Sequence, residues 1–126
     1  MSAESCFIPH GTENITHDTL SSGNAIPTST GMMGGYPGAV NVYKFQRESN
    51  IGEMFNKSTL PADIAEVGGR EEILGLRQQN FNQKASDVYS VLWTGAGGFG
   101  DPLERDPVSV AFDVTENMAV SIQAAK

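Results

Sequence analysis

Glycine is the residue that most restricts this chain. Four glycines fall in six positions (Gly95, Gly97, Gly98 and Gly100), and Gly34, Gly35 and Gly38 fall in five. Neither run suits the interior of a helix or a strand, because glycine loses the most backbone entropy on ordering and offers no side chain to pack. Such runs serve tight turns or close approach of one backbone to another. With 14 glycines and 6 prolines among 126 residues, and only 18% charged residues, the chain reads as mainly β: a small, Gly/Pro-rich domain with extended segments and a short C-terminal helix. A chain of this length buries roughly two-thirds of its unfolded surface, so its core is shallow.

Residues 1–33 show little periodicity: Ser, Thr, Gly and Pro punctuate isolated apolar residues. We expect an extended arm there, laid against a partner, with a β-rich domain over 34–126. "GGYPG" at 34–38 predicts a tight turn with special φ values at Gly34, Gly35 and Gly38. "AVNVYKF" then alternates with period two, as a strand does. Residues 48–72 read as loop with one brief strand or turn, and Ile73–Leu76 as a strand. Val88–Thr94 has apolar residues on both faces, which predicts a strand covered on both sides. Asp106 followed by Pro107 predicts an N-cap and the first turn of a helix over about 107–117, with Val110, Val114 and Ala111 on one face. A second helical turn is expected over 119–126, capped by Ser121.

Charge and composition remove several functions. Eight basic residues against fifteen acidic give −7, which leaves no electrostatic basis for nucleic acid or an anionic membrane as partner. No apolar run reaches the ~18 residues of a membrane span, and the N-terminus lacks the order of a secretory signal. The single cysteine, Cys6, forms no intrachain disulfide, in keeping with an expected cytoplasmic location.

"GAGGFG" spells G-x-G-x-x-G with Gly95, Gly97 and Gly100, the outline of a dinucleotide loop. Asp101 and Pro102 follow, however, where helix amides should meet the phosphate, and no β–α–β partner appears. A Walker loop fails because no Gly-Lys-Ser/Thr follows. Close backbone packing, of a polyproline-like kind, is the better reading of these glycines. In "DPLERDP", Asp101, Glu104, Arg105 and Asp106 lie between Pro102 and Pro107. An acid/base pair is one reading, and a loop-to-helix clamp with Arg105 paired to a neighbouring carboxylate is the favoured one.

Cys6, His10 and His17 form a second constellation, with Glu13 and Asp18 nearby. These are soft and borderline ligands suited to zinc, although C-x3-H-x6-H matches no standard finger and needs a further ligand. The bland reading is an isolated Cys and two His near a terminus. Tyr89, Phe81, Trp93 and Phe99 read as core or interface anchors, and Met32 and Met33 as docking contacts.

The stretch "GGFGDPLERDPVSVAFDV" resembles the C-terminal signature of the hydantoinase B family, which includes a large subunit of acetone and acetophenone carboxylases and half of 5-oxoprolinases. Gly100 to Pro107 match without a gap; Val110, Asp113, Val114, Val120 and Ser121 resemble the next positions of that signature, and "GGYPG" resembles an upstream turn. Family members are several times longer, so the resemblance implies a piece split off as a small subunit, as in acetophenone carboxylase, not itself catalytic. The implied partners are larger hydantoinase A-like, actin-like ATPase chains, carrying ATP with Mg or Mn, and hydantoinase B-like chains. The implied reaction is ATP-driven, biotin-independent carboxylation of a ketone with bicarbonate, or alternatively hydrolysis of a cyclic amide. Gly97, Gly98, Gly100, Asp101, Pro102, Glu104, Arg105 and Asp106 would be its docking motif. An independent zinc module on Cys6, His10 and His17 is the alternative from another class.

Overall fold

The computed structural model describes residues 3–116, 121–123 and 125. The chain is mainly β. Six strands are formed, β1 (Glu4–Phe7), β2 (Asn14–Leu20), β3 (Val42–Arg47), β4 (Arg70–Leu74), β5 (Arg77–Lys84) and β6 (Val88–Leu92), with two helices, α1 (Ile51–Asn56) and α2 (Pro107–Thr115). One antiparallel sheet has the order β1-β6-β3-β4, and β2 pairs with β5 in a two-stranded antiparallel ribbon.

Alternation along β6 explains the layering. Tyr89 and Val91 point to one face, where with Tyr43, Phe45 and Leu74 they form a core that Phe81 of the ribbon packs against. Val88 points to the other face, joining Ile51 of α1 with Ile64 and Val67 of the following 3-10 turn. The expected strand covered on both sides is therefore present, two residues shorter than predicted. A bulge in the ribbon places Asn80 at φ 54°, and the Asp18 carboxylate accepts the Asn80 N–H at 2.7 Å.

An ion cluster around the buried Asp87 closes the far end of the sheet. Asp87 accepts hydrogen bonds from Glu48 N (3.0 Å), Lys84 N (3.0 Å) and Arg47 Nη1 (2.9 Å), and Arg47 also reaches Glu72 (2.8 Å) while its guanidinium covers the Phe45 ring. Burial pulls the Asp87 carboxyl up, but these three donors outweigh it and hold it below the usual carboxylate range. Two carboxylates likewise outweigh burial at Arg47 and raise its guanidinium pKa.

Several expectations change. Residues 4–7 and 14–20 are not an extended arm: β1 pairs with β6 and β2 with β5, so the division at residue 33 is absent from the sheets. The segment from about Ser22 to Val40 lies outside the strands and is irregular, with bends and the turn at Met33–Gly34. Residues 48–72 contain α1, a 3-10 turn capped by Asp63 and the first residues of β4. The strand expected at Ile73–Leu76 begins earlier and ends at Leu74, with Gly75 and Leu76 forming the step into β5. Pro107 opens α2 and Asp106 caps it through Val108 N at 3.2 Å, as the sequence predicts. Of the second turn, 119, 120, 124 and 126 lie outside the described residues; Ala125 N donates to Ser121 O.

Candidate docking corner

Beyond β3 and β6 the chain continues as three extended glycine-bearing segments, about 29–32, 35–38 and 95–100. Met32 N donates to Gly98 O (2.9 Å), Gly98 N to Tyr36 O (2.8 Å), Gly100 N to Met32 O (3.0 Å) and Gly38 N to Ser29 O (3.0 Å). The glycines explain how three backbones come so close. A Cβ on Gly31 would lie 1.9 Å from Gly35 O, one on Gly35 2.2 Å from Gly98 O, one on Gly38 2.1 Å from Gly95 O, and one on Gly97 2.0 Å from Thr30 O. The contacts run in a cycle: the first segment meets the second, the second the third, and the third the first. Glycine is required at such an axis for the reason it is required in collagen, where only a hydrogen fits.

The turn joining the first two segments spans Met32–Gly35, closed by Gly35 N to Met32 O at 2.9 Å, with Met33 at φ 53° and Gly34 at φ 90°. Two positive φ values at the central positions are the pattern of a type I′ turn. The tight turn expected over 34–38 is therefore shifted upstream; Gly35 and Gly38 have no positive φ and serve contact instead.

These contacts also settle the phosphate-loop question. The Gly98 and Gly100 amides that a phosphate would need are spent on Tyr36 O and Met32 O. Asp101 follows directly and turns its own carboxylate onto Leu103 N at 2.9 Å.

The "DPLERDP" corner is built by caps. Asp101 caps the 3-10 turn Pro102–Glu104, and Asp106 caps α2 through Val108 N and the Ser109 hydroxyl. Arg105 pairs with Asp113 of α2, not with the adjacent Asp101, Glu104 or Asp106. Pro102 and Pro107 each occupy a first helical turn, where a missing N–H costs nothing. The carboxylates of Asp101, Glu104 and Asp106 are exposed, and those of the two aspartates are spent on capping.

The structure does not bring Cys6, His10 and His17 together, and among the described residues no three His, Cys, Asp or Glu side chains are placed to hold a metal ion. Strand pairing is the reason. Cys6 lies on β1 opposite Ser90, His10 lies in the loop after it, and His17 lies on β2 opposite Phe81. The His17 ring stacks on Phe81 (centroids 5.1 Å apart, planes at 8°) and its Nε2 sits 2.7 Å from Gln83 Oε1, so it is part of the ribbon's core face. Cys6 lines a largely apolar cleft of about 430 Å³ with Ile8, Ile51, Phe55, Ile64 and Val88. Burial, and then the Glu4 carboxylate, push its thiol up, against the Ser90 hydroxyl and Lys44. A thiol held neutral is a poor nucleophile.

Phe81 and Tyr89 are core aromatics, whereas Trp93 and Phe99 are exposed; Trp93 Nε1 donates to Ser5 Oγ at 3.1 Å. Met32 and Met33 are exposed on the turn. No helix among the described residues is long and apolar enough to cross a membrane. No model of a known protein family matches the chain, and no curated protein matches it.

Proposed function

We propose that this chain is a small accessory subunit of a larger ATP-dependent assembly of the hydantoinase B type, one that carboxylates a ketone with bicarbonate without biotin. ATP and its Mg or Mn ion belong, in this reading, to the larger actin-like chains, and this chain completes the scaffold of a hydantoinase B-like partner. The observation that carries the reading is the glycine bundle with the capped corner beyond it. Among the residues on which the family resemblance rests, Gly97 is spent on backbone packing and Asp101 and Asp106 on capping, and Phe99 is left exposed, lining one groove with the exposed Tyr36. Exposed aromatic side chains gathered in one groove suit an interaction site.

Native size exclusion of an extract, with mass-spectrometric identification of what co-elutes, tests the proposal. Elution in an assembly many times the chain's own 13.4 kDa, beside an actin-like ATPase chain, is expected. Elution alone at 13.4 kDa refutes it. In the purified assembly, ATP hydrolysis that requires both a ketone and bicarbonate distinguishes carboxylation from the alternative, cyclic-amide hydrolysis, in which the amide alone drives turnover.

A further inference from the structure

Two exposed aromatic side chains at the glycine bundle, Tyr36 and Phe99, line one groove. Tyr36 and Pro37 form one wall, Phe99 and Pro102 the other, and the space between them is about 570 Å³. Tyr36 is 71% exposed and Phe99 79%. The two walls are fixed to each other by Gly98 N to Tyr36 O, so the groove is preformed. Gly35, Gly98 and Gly100 lie at its base, and no side chain rises from them to fill it.

The charge of the groove is one-sided. Asp101 and Glu104 line it, whereas the cation that lines it, Arg105, is engaged by Asp113. The whole chain carries −7. A second copy would bring the same acidic rim and the same net charge, which opposes self-association.

We propose that this groove seats an extended, basic segment of a larger partner chain, with an arginine or lysine stem lying across Tyr36 and Phe99 and its charge facing Asp101 and Glu104. Aromatic faces attract cations, and exposed carboxylates at the rim set register and on-rate. A narrow groove over a glycine base suits an extended strand or polyproline-type peptide better than a helix, whose side chains give it a diameter of ~10 Å. The identity of the partner as a larger subunit rests on the function proposed above.

The experiment uses the full chain expressed with its native partners. A photo-crosslinking phenylalanine derivative replaces Phe99, which lines the groove, in one version and Leu20, 83% exposed at the end of β2, in another. The Phe99 probe is expected to join a Lys- or Arg-bearing segment of the larger chain, and the Leu20 probe not to. Glu104→Lys is expected to weaken association about three- to tenfold at low ionic strength, with the difference shrinking as salt rises. Tyr36→Ala with Phe99→Ala is expected to weaken it about tenfold or more at any salt. Circular dichroism of each variant separates loss of docking from loss of folding.

If the chain enters a large assembly but the Phe99 probe gives no crosslink, or Glu104→Lys has no salt-dependent effect, the groove proposal is overturned and the subunit reading stands. A crosslink between two copies of this chain overturns it as well. Elution of the wild-type chain alone overturns both.

Discussion

Replacing Gly97 by alanine places a methyl group 2.0 Å from Thr30 O and 2.5 Å from Thr30 C. Contact between such atoms is comfortable only at about 3.5 Å, so one backbone must retreat by roughly 1 Å or more. The neighbouring atoms are main chain, with no rotamer to absorb the shift. Three hydrogen bonds cross this point: Met32 N to Gly98 O, Gly98 N to Tyr36 O and Gly100 N to Met32 O. At about 1 kcal/mol each, their loss costs ~3 kcal/mol. The bundle lies outside the sheets, so the damage is local, and amide hydrogen exchange is the suitable assay. The Met32, Gly98 and Gly100 amides are expected to exchange about a hundredfold faster, since 1.4 kcal/mol is a factor of ten, while amides between β3 and β6 change little. Two glycines calibrate the result. A Cβ on Gly52, in α1, meets nothing within 4 Å, and Gly52→Ala should be neutral or stabilise by ~0.5–1 kcal/mol. Gly100→Ala meets nothing either but sits at φ 81°, and should cost ~1–2 kcal/mol from backbone conformation alone. If Gly97→Ala leaves the three amides exchanging at wild-type rates, the cyclic packing of the three segments is wrong.

Three further outcomes are expected. Asp87→Ala leaves Arg47 and two amides without their buried acceptor and should destabilise by about 3–5 kcal/mol in urea unfolding. Because the folded Asp87 pKa is depressed, its stabilisation is present above the unfolded carboxylate pKa and is lost as pH falls through the folded one. The wild type should therefore lose stability on acidification in a step that Asp87→Asn lacks, and parallel acid titrations of the two would disprove this. Cys6 should alkylate more slowly than a free thiol at neutral pH, and Glu4→Gln should speed the reaction by lowering the raised pKa; a rate unaffected by Glu4 would remove the electrostatic account. His17→Ala should cost roughly 2–4 kcal/mol by truncating a stacked ring and orphaning Gln83 Oε1, while zinc or a chelator leaves the melting temperature of the wild type unchanged. A zinc-dependent rise would restore the metal reading.

The elements legible in the sequence are those with a local signature. β6 shows apolar residues on both faces, β3 shows period two, and Asp106-Pro107 marks the start of α2 whatever surrounds it. β5 carries no such mark: of "RQQNFNQK" only Phe81 is apolar, and its other inward residue, Gln83, is satisfied by Phe7 O and Asp87 O, which only the fold supplies. β1 and β2 escape for the same reason, β1 being short, β2 mostly polar, and both depending on strands more than fifty residues away for their partners. Zinc is suggested by residue types alone, and strand register, which a sequence does not display, separates the three side chains. The capped corner at 101–107 is legible as a rigid element. The pairing of Arg105 is not, because its partner lies across the start of a helix, eight residues on.

The glycine bundle takes two of its segments from the first third of the chain and the third from beyond β6. Its alignment is inherited: Val42 pairs with Leu92, and Asn41 then spans the junction, accepting from Thr94 N and donating to Ser22 O. During synthesis Tyr36 and its neighbours therefore emerge long before the backbone they pack against. The groove becomes available only once β3 and β6 have found their register, because contacts so distant in sequence form late. Order of assembly thus acts as a checkpoint: a chain whose central sheet has slipped by one residue has no groove to offer, and it is excluded from any complex that recognises one.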